Sequence, residues 1–374
     1  MAVEGLGSAE LERSFSRTRE LCRQLGDPPE LFPVLYGLAA YQQGRAEHQA
    51  ALALSEQLLT LAEHSADSAL LLPAHMLRGA GLLYMGRPVA ARTNCERALA
   101  VHDPIAHRTL ADLYGLDPTV PNGIHLAMAL WLLGYPDQGV QQANEAFQLA
   151  RDRAHPLSIA MACMGLGILY QHRREAAATL QQGEALLTLS HEHGIPTPVG
   201  GGNPLVGWAR AEQGQAVEGI AQMRLGLQLH TDKQPLSLSF WMSLLMDAYR
   251  RTGQVEEGLA LVQEGLGLVE RTEERFFEAE LYRLQGELLL QQSPHEPSDG
   301  EAALAKALAV ACGQEAKSWE LRAATSLARL WQQQGKTTEA HDLLVPVYNW
   351  FTEGFDTADL KDAKSLLNAL SKEQ

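Results

Sequence analysis

The residues best able to do chemistry are thirteen histidines and four cysteines, and their spacing argues against it. The densest cluster, His191-Glu192-His193, sets two imidazoles two positions apart. On a helix these point about 200° from each other and do not close on one ion. His102-Asp103 with His107 is a second, weaker arrangement. Cys22, Cys95, Cys163 and Cys312 lie far apart and form no Cys-x-x-Cys pair. They read as reduced, mostly buried thiols of a cytoplasmic protein. The glycines build no nucleotide site. No GxxxxGK[ST] loop occurs, the run at 200–202 lacks the following lysine and flanking strand, and Gly5-Leu6-Gly7 and Gly165-Leu166-Gly167 lack a strand–turn–helix setting. No GxSxG elbow occurs either. Neither catalysis, cofactor nor metal is expected.

Composition narrows the partners. Against 45 acidic side chains stand 30 basic ones, a formal net charge of −15. A nucleic-acid binder would carry a basic face, and none is visible. No stretch approaches about eighteen consecutive apolar residues, so no membrane span is expected. The start, MAVEGLGSAELERSF, has neither the basic end nor the apolar run of a secretion signal. Alanine, leucine, glutamine and glutamate dominate over β-branched residues, which is a helical composition.

Whatever the chain binds must be positioned by a repeat. Eight times a pair of helix-sized segments recurs, with small residues where two helices would cross. The clearest copies read IHLAMALWLLGYPDQGVQQANEAFQLA (124–150), FWMSLLMDAYRRTGQVEEGLALVQEGL (240–266) and RAATSLARLWQQQGKTTEAHDLLVPVY (322–348). One turn slot holds Gly44, Gly86, Gly134, Gly214, Gly253 and Gly335; Arg173 and the 293–299 insertion take it in the fourth and seventh copies. Successive turns lie roughly 38–48 residues apart. In the last copy Ala324, Leu327, Ala328 and Trp331 share one helix face, and Ala340, Leu344 and Val347 share another. The small residues at 328 and 340 let the two helices approach.

This pattern resembles the tetratricopeptide repeat (TPR) in its longer form. The expected fold is all-α, a TPR-like right-handed superhelical α-solenoid of about eight helix pairs with capping helices at both ends. It forms one domain over 1–374, with an N-terminal cap within 1–28 (a helix at 9–25, stopped by the glycine and prolines at 26–29), repeats over 29–352 and a C-terminal cap over 353–374. The strings LWLLGYPDQ (130–138), WARAEQGQ (208–215), ERFFEAELYRLQGELLL (274–290), AKSWELRAATSLARLWQQQGK (316–336) and WFTEGFDTADLKDAK (350–364) carry a further resemblance. Nearly the whole chain is similar to the C-terminal repeat regions of bacterial signalling proteins built as adenylate/guanylate cyclase, AAA-type ATPase, then repeats, and to MalT-like regulators. The resemblance implies a regulatory or sensor module. The family's catalytic modules lie upstream of such repeats and have no counterpart in this sequence, so their activities do not carry over.

In a TPR array the first helices line the concave groove. That wall is Val34, Met76, Ile124, Met128, Trp131, Cys163, Gly167, Tyr170 and Trp208 in the first five copies. In the last three it is Ser243, Asp247, Arg250, Arg283, Glu287, Arg322, Thr325, Arg329 and Gln332. It should be apolar toward the start and ionic toward the end. The apolar half is either an open binding stripe or a tight coil that fills itself. Three departures add candidates. The segment HGIPTPVGGGNP (193–204) stands where the fifth copy's first helix should begin, and its glycine run and three prolines predict an irregular loop, either touching a ligand or without a role. Arg78 and Arg210 fall on core positions and must be paired, snorkel, or hold an anion. In TVPNGIHLAM (119–128), Pro121, Asn122 and Gly123 should delay the helix and bring Asn122 and His125 to the groove wall, unless Asn122 simply caps it.

The candidate binding set is Met76, Arg78, Asn122, His125, Met128, Trp131, Tyr170, Asn203, Trp208, Arg210, Trp241 and Arg250. The expected function is a non-catalytic scaffold that binds a peptide or protein segment in its groove. The alternative is a small hydrophobic ligand on Met128, Trp131, Tyr170 and Trp208, its polar head fixed by Arg78, Arg210, Asn203 or Asn122. A closed cavity of roughly several hundred Å3 behind the glycine run would favour the small molecule. An open groove with a continuous apolar strip would favour the peptide.

Overall fold

The computed structural model describes residues 17, 31–65, 67–195, 197–229 and 236–373. The expected opening helix at 9–25 and its stop at 26–29 lie outside these, apart from Arg17. Eight helical hairpins follow in order. They are α1 (Leu31–Gly44) with α2 (His48–Ser65), α3 (Ser68–Tyr84) with α4 (Pro88–Ala100), α6 (Thr119–Leu132) with α7 (Pro136–Arg153), and α8 (Pro156–His172) with α9 (Ala176–His193). Then come α10 (Thr197–Glu212) with α11 (Ala216–Leu229), α12 (Leu238–Thr252) with α13 (Val255–Thr272), α14 (Glu278–Gln292) with α15 (Ser298–Gly313), and α16 (Lys317–Gln333) with α17 (Thr337–Tyr348). A short helix, α5 (Leu110–Tyr114), interrupts the second link, and α18 (Ala358–Glu373) closes the array. No strand occurs among the described residues.

Each first helix packs on the next first helix, from α1 on α3 through α16 on α18, whereas second helices make no comparable series. The first helices are therefore the tighter, inner layer, and the ribbon curves around them. Small residues set the approach within a hairpin. At the α10–α11 crossing a Cβ added to Gly207 or Gly219 would lie 2.6 or 2.4 Å from the other's carbonyl oxygen. The turns need a left-handed residue, supplied by Gly134 at φ 89° in the third hairpin. In the first and fourth hairpins that conformation falls on Ala46 (φ 55°) and Arg174 (φ 62°), not on Gly44 and Arg173. Each non-glycine residue held there costs roughly 1–2 kcal/mol, which neighbouring contacts must offset.

Two expected irregularities are helical. Residues 197–204 of the glycine–proline segment form the start of α10, which runs from Thr197 straight through Pro204, while Gly194 (φ 62°) caps α9 and Ile195 is non-helical. Its glycines are spacers, not breakers. A Cβ on Gly201 would lie 3.0 Å from the Trp241 ring, and one on Gly202 would lie 2.8 Å from Leu187. Pro204 packs on α11, where a Cβ at Gly226 would come within 2.4 Å of its ring. Close packing on both sides outweighs the poor helix propensity. Likewise α6 starts at Thr119, before Pro121, whose missing N–H falls in the first turn where no intrahelical partner exists. Asp117 accepts the Thr119 N–H at 2.9 Å. Asn122 neither caps nor reaches the groove; it is buried and donates to the carbonyls of Leu72 (3.1 Å) and Pro118 (2.9 Å), tying α6 to α3.

The ribbon then closes on itself. The Phe276 N–H donates to the Tyr84 carbonyl at 3.1 Å, and His48 meets the buried Glu274 at 3.3 Å. Ser318 donates to the Trp131 carbonyl. Glu353 accepts the N–H groups of Asp137 (2.9 Å) and Gln138 (3.0 Å), capping α7 from more than two hundred residues away. Inside the ring the axis is plugged by aromatic rings. Trp131 lies 4.7 Å from Trp319 and 4.4 Å from His172, and Phe277 lies 5.2 Å from Trp319 (centroid distances). Trp319, 1% exposed, also donates to the Phe276 carbonyl at 3.1 Å. Replacing it, Trp319→Ala, is expected to cost roughly 3–5 kcal/mol and to loosen the first turn from the last. Urea unfolding followed by circular dichroism, with the radius of gyration from small-angle scattering, checks both effects.

Candidate ligand-binding groove

The inner wall has two halves of opposite character, and closure decides which of them a ligand can reach. Met76 (7%), Met128 (7%), Trp131 (2%), Trp208 (2%) and Trp241 (3%) have almost no exposure. The apolar half is a coil filled by its own side chains, not an open stripe. His125 is also buried, edge-on to Tyr84 at 6.4 Å, with no partner on its Nδ1. Tyr170 is half-buried against the same core.

The two core-slot arginines are held inside their hairpins. Arg78 donates to Asn94 Oδ1 at 3.3 Å, and that oxygen also meets His75 at 2.9 Å. Arg210 donates to Gln222 Oε1 at 2.7 Å, and Gln222 donates in turn to Asn203 at 3.2 Å. Both face the second helix of their own repeat.

An accessible depression lies in the ionic half, a cavity of about 170 Å3. Six arginines line it, namely Arg174, Arg250, Arg251, Arg283, Arg322 and Arg329. Five carboxylates face them, those of Asp247, Glu280, Glu287, Asp359 and Asp362. Ser243, Thr325, Ser326, Gln171, Leu244 and the rings of Trp208, Phe277 and Trp319 complete the lining. Of the twelve candidates from sequence, Trp208 and Arg250 reach this cavity; the other ten do not.

Regular helix spacing builds the lattice of charges. On α14, Glu280, Arg283 and Glu287 fall three and four residues apart on one face, with Arg283 bridging Glu280 at 2.7 Å and Glu287 at 2.6 Å. On α12, Asp247 holds Arg250 at 2.8 Å and Arg251 at 2.9 Å. The link between these helices is Arg250 to Glu287 at 3.1 Å. Burial alone would raise the Asp247 pKa, but the Arg250 and Arg251 charges overcome it and hold the carboxyl at about 2. Burial opposes the charge on Arg283, yet Glu280 and Glu287 lift it well above the usual guanidinium value.

Arg322 joins this lattice to the ring closure. It binds Asp359 of α18 at 2.7 Å and Glu280 at 3.4 Å, and donates to the His172 carbonyl, the C-terminal end of α8, at 2.6 Å. Its guanidinium stacks over Trp319 (5.0 Å) and Trp131 (5.5 Å). Arg174, Glu280, Phe277, Trp319, Asp359 and Asp362 were missed in the sequence. They come from a turn, from outside the counted slots, and from the closing helix, so no alignment on the repeat brings them together.

One serine–histidine pair, Ser68 with His107, is not arranged for nucleophilic catalysis. Ser68 meets His107 Nε2 at 3.2 Å, but the His107 Nδ1 accepts the Asp103 N–H at 3.1 Å. The imidazole proton therefore sits on Nε2 and points at the serine, the wrong tautomer for a base. Among the described residues no group of three His, Cys, Asp or Glu side chains is placed to hold a metal ion. Among them, too, no helix is long and apolar enough to cross a membrane.

With this geometry in place, the fold can be set beside known ones. Its architecture is that of the TPR-like helical solenoids. The Rap conjugation gene regulator of the plasmid pLS20, in complex with the Phr* peptide, matches with a TM-score of 0.58 at 14% identity, over 97% of this chain and 91% of that one. A Rap protein complexed with competence and sporulation factor matches at 0.55 and 11%, over 98% and 96%. The apo quorum sensor NprR from B. thuringiensis matches at 0.53 and 16%, over 92% and 95%. No protein-family model and no curated relative matches the chain.

Acid should weaken the filled half before it weakens the ionic half. Burial pushes the His125 pKa down to about 4. The unfolded chain takes up a proton below about 6.5 that the folded chain refuses, so stability falls as pH drops from 6.5 toward 4. The Asp247 contribution is present above about 3.8 and is lost only as pH falls toward 2. The variant His125→Leu should therefore lose less stability than the parent between pH 7 and pH 4, by on the order of 3 kcal/mol. Urea midpoints of the two proteins at both pH values measure the difference.

Proposed function

We propose that this chain is a non-catalytic binding module that takes a peptide or protein segment into the ionic half of its concave wall, between repeats four to eight and the closing helix. The observation that carries this reading is the division of the wall. The apolar half is occupied by the protein's own side chains, and the accessible cavity is polar, ringed by charges and open at its mouth. A cavity of about 170 Å3 is small for a drug-sized ligand, whose sites span roughly 300–1,000 Å3. It suits one or two side chains of a longer segment lying along the groove. Two of the solved structures that share the fold are complexes, one with the Phr* peptide and one with competence and sporulation factor, which supports the same reading.

The role we assign is a regulatory or sensor module of bacterial signalling, in keeping with the resemblance to the repeat regions of cyclase–ATPase proteins and MalT-like regulators. An inner wall of stacked helices is suited to it, because a segment can lie along it with little rearrangement.

A pooled random decapeptide library, passed with the protein through gel filtration and analysed by mass spectrometry, tests the proposal. The parent protein should retain peptides. Asp362→Trp places a bulky ring at the mouth from an exposed position and should cut retention about tenfold or more without changing the melting temperature. Equal retention by the two proteins would place binding elsewhere.

A further inference from the structure

Resting on that reading of the groove, we infer that its ligand is led by a single carboxylate, from the segment's C-terminus or from an Asp or Glu side chain, and that Arg329 receives it. The inference comes from the charge balance of the cavity wall. Six arginines face five carboxylates. Arg174, Arg250, Arg251, Arg283 and Arg322 each have a carboxylate within 4 Å, and each lining carboxylate is held by at least one of them. Arg329 alone among the lining arginines has no ion pair or hydrogen bond among the described residues. It is exposed, on the cavity-facing side of α16, one turn beyond Thr325 and Ser326 and two beyond Arg322.

The alternatives fit less well. A cationic group would find its acceptors already engaged, and displacing a guanidinium from Glu280 or Glu287 would strand a charge in a buried lattice. A neutral segment would leave the Arg329 guanidinium unused. A carboxylate matches its planar fork in two parallel hydrogen bonds. Among the lining side chains guanidiniums outnumber carboxylates by one, with Arg251 also held by Glu212 beyond the lining, while the whole chain carries −15. The surrounding field opposes polyanions, so the complement is one carboxylate on an otherwise neutral segment, not a nucleic acid.

The experiment uses two versions of the decapeptide library, one with free C-terminal carboxylates and one amidated, on the full chain and on Arg329→Gln and Arg329→Glu. Arg329 is exposed and has no hydrogen bond or ion pair among the described residues, so both variants should fold. We expect the parent to retain acidic or free-carboxylate members about fivefold over their share of the pool, Arg329→Gln to lose that preference, and Arg329→Glu to turn it toward lysine and arginine. Loss of retention on amidation identifies the terminal carboxylate as the recognised group; indifference to amidation identifies an acidic side chain. A neutral or basic pool retained by the parent, or an unchanged pool on Arg329→Gln, overturns the inference while leaving groove binding intact. No retained peptide at all overturns both.

Discussion

The structure depends on the burial of the inner aromatic wall. An open ribbon would leave Trp131, Trp208, Phe240, Phe276, Phe277 and Trp319 facing water, and each such ring removes some 150–250 Å2 when buried. Winding the array until its first and last thirds meet takes these rings out of water at once, around the buried imidazole of His172. The polar bonds of the seam follow from that contact. The Phe276–Tyr84 bond, the Ser318–Trp131 bond and the Glu353 cap on α7 satisfy backbone groups that closure would otherwise strip of water.

Closure also explains the charged lattice. Guanidiniums and carboxylates on the inner wall of the last repeats are partly desolvated by the same winding, and charges there persist only if paired. The sequence spaces them for it, with Glu280, Arg283 and Glu287 on one face and Asp247, Arg250 and Arg251 on another. Arg322 belongs to both systems, since it stacks on the aromatic plug and is bonded to the closing helix and to the end of α8. A ligand in the cavity would touch the group that ties the closing helix to α8.

The helices, their pairing and the inner-wall slots were legible in the sequence. Eight of the nine residues placed on the ionic wall by counting back from the turns line the cavity. That succeeded because helix periodicity and a fixed hairpin length are local properties. Local composition failed where packing overruled it. The glycines of 200–202 signalled a loop, yet they stand in a helix, and at Gly201 and Gly202 neighbouring side chains need the room a Cβ would fill. For Arg78 and Arg210 the sequence left pairing, snorkelling and an anion open; Asn94 and Gln222, on partner helices, accept their hydrogen bonds. Of the two readings left open for the apolar half, the self-filled coil is the one the structure has, because exposure is not a local property.

By itself the sequence determined an all-helical repeat and the side chains that look inward, because 3.6-residue periodicity and the turn spacing are written in consecutive residues. Only the tertiary structure decided which half of that inner wall is filled and which is open. The winding is set by contacts between residues 150 to 226 positions apart, such as Arg322 with His172 and Glu274 with His48. A small change in the angle between successive hairpins accumulates over eight of them, and no single repeat records the sum.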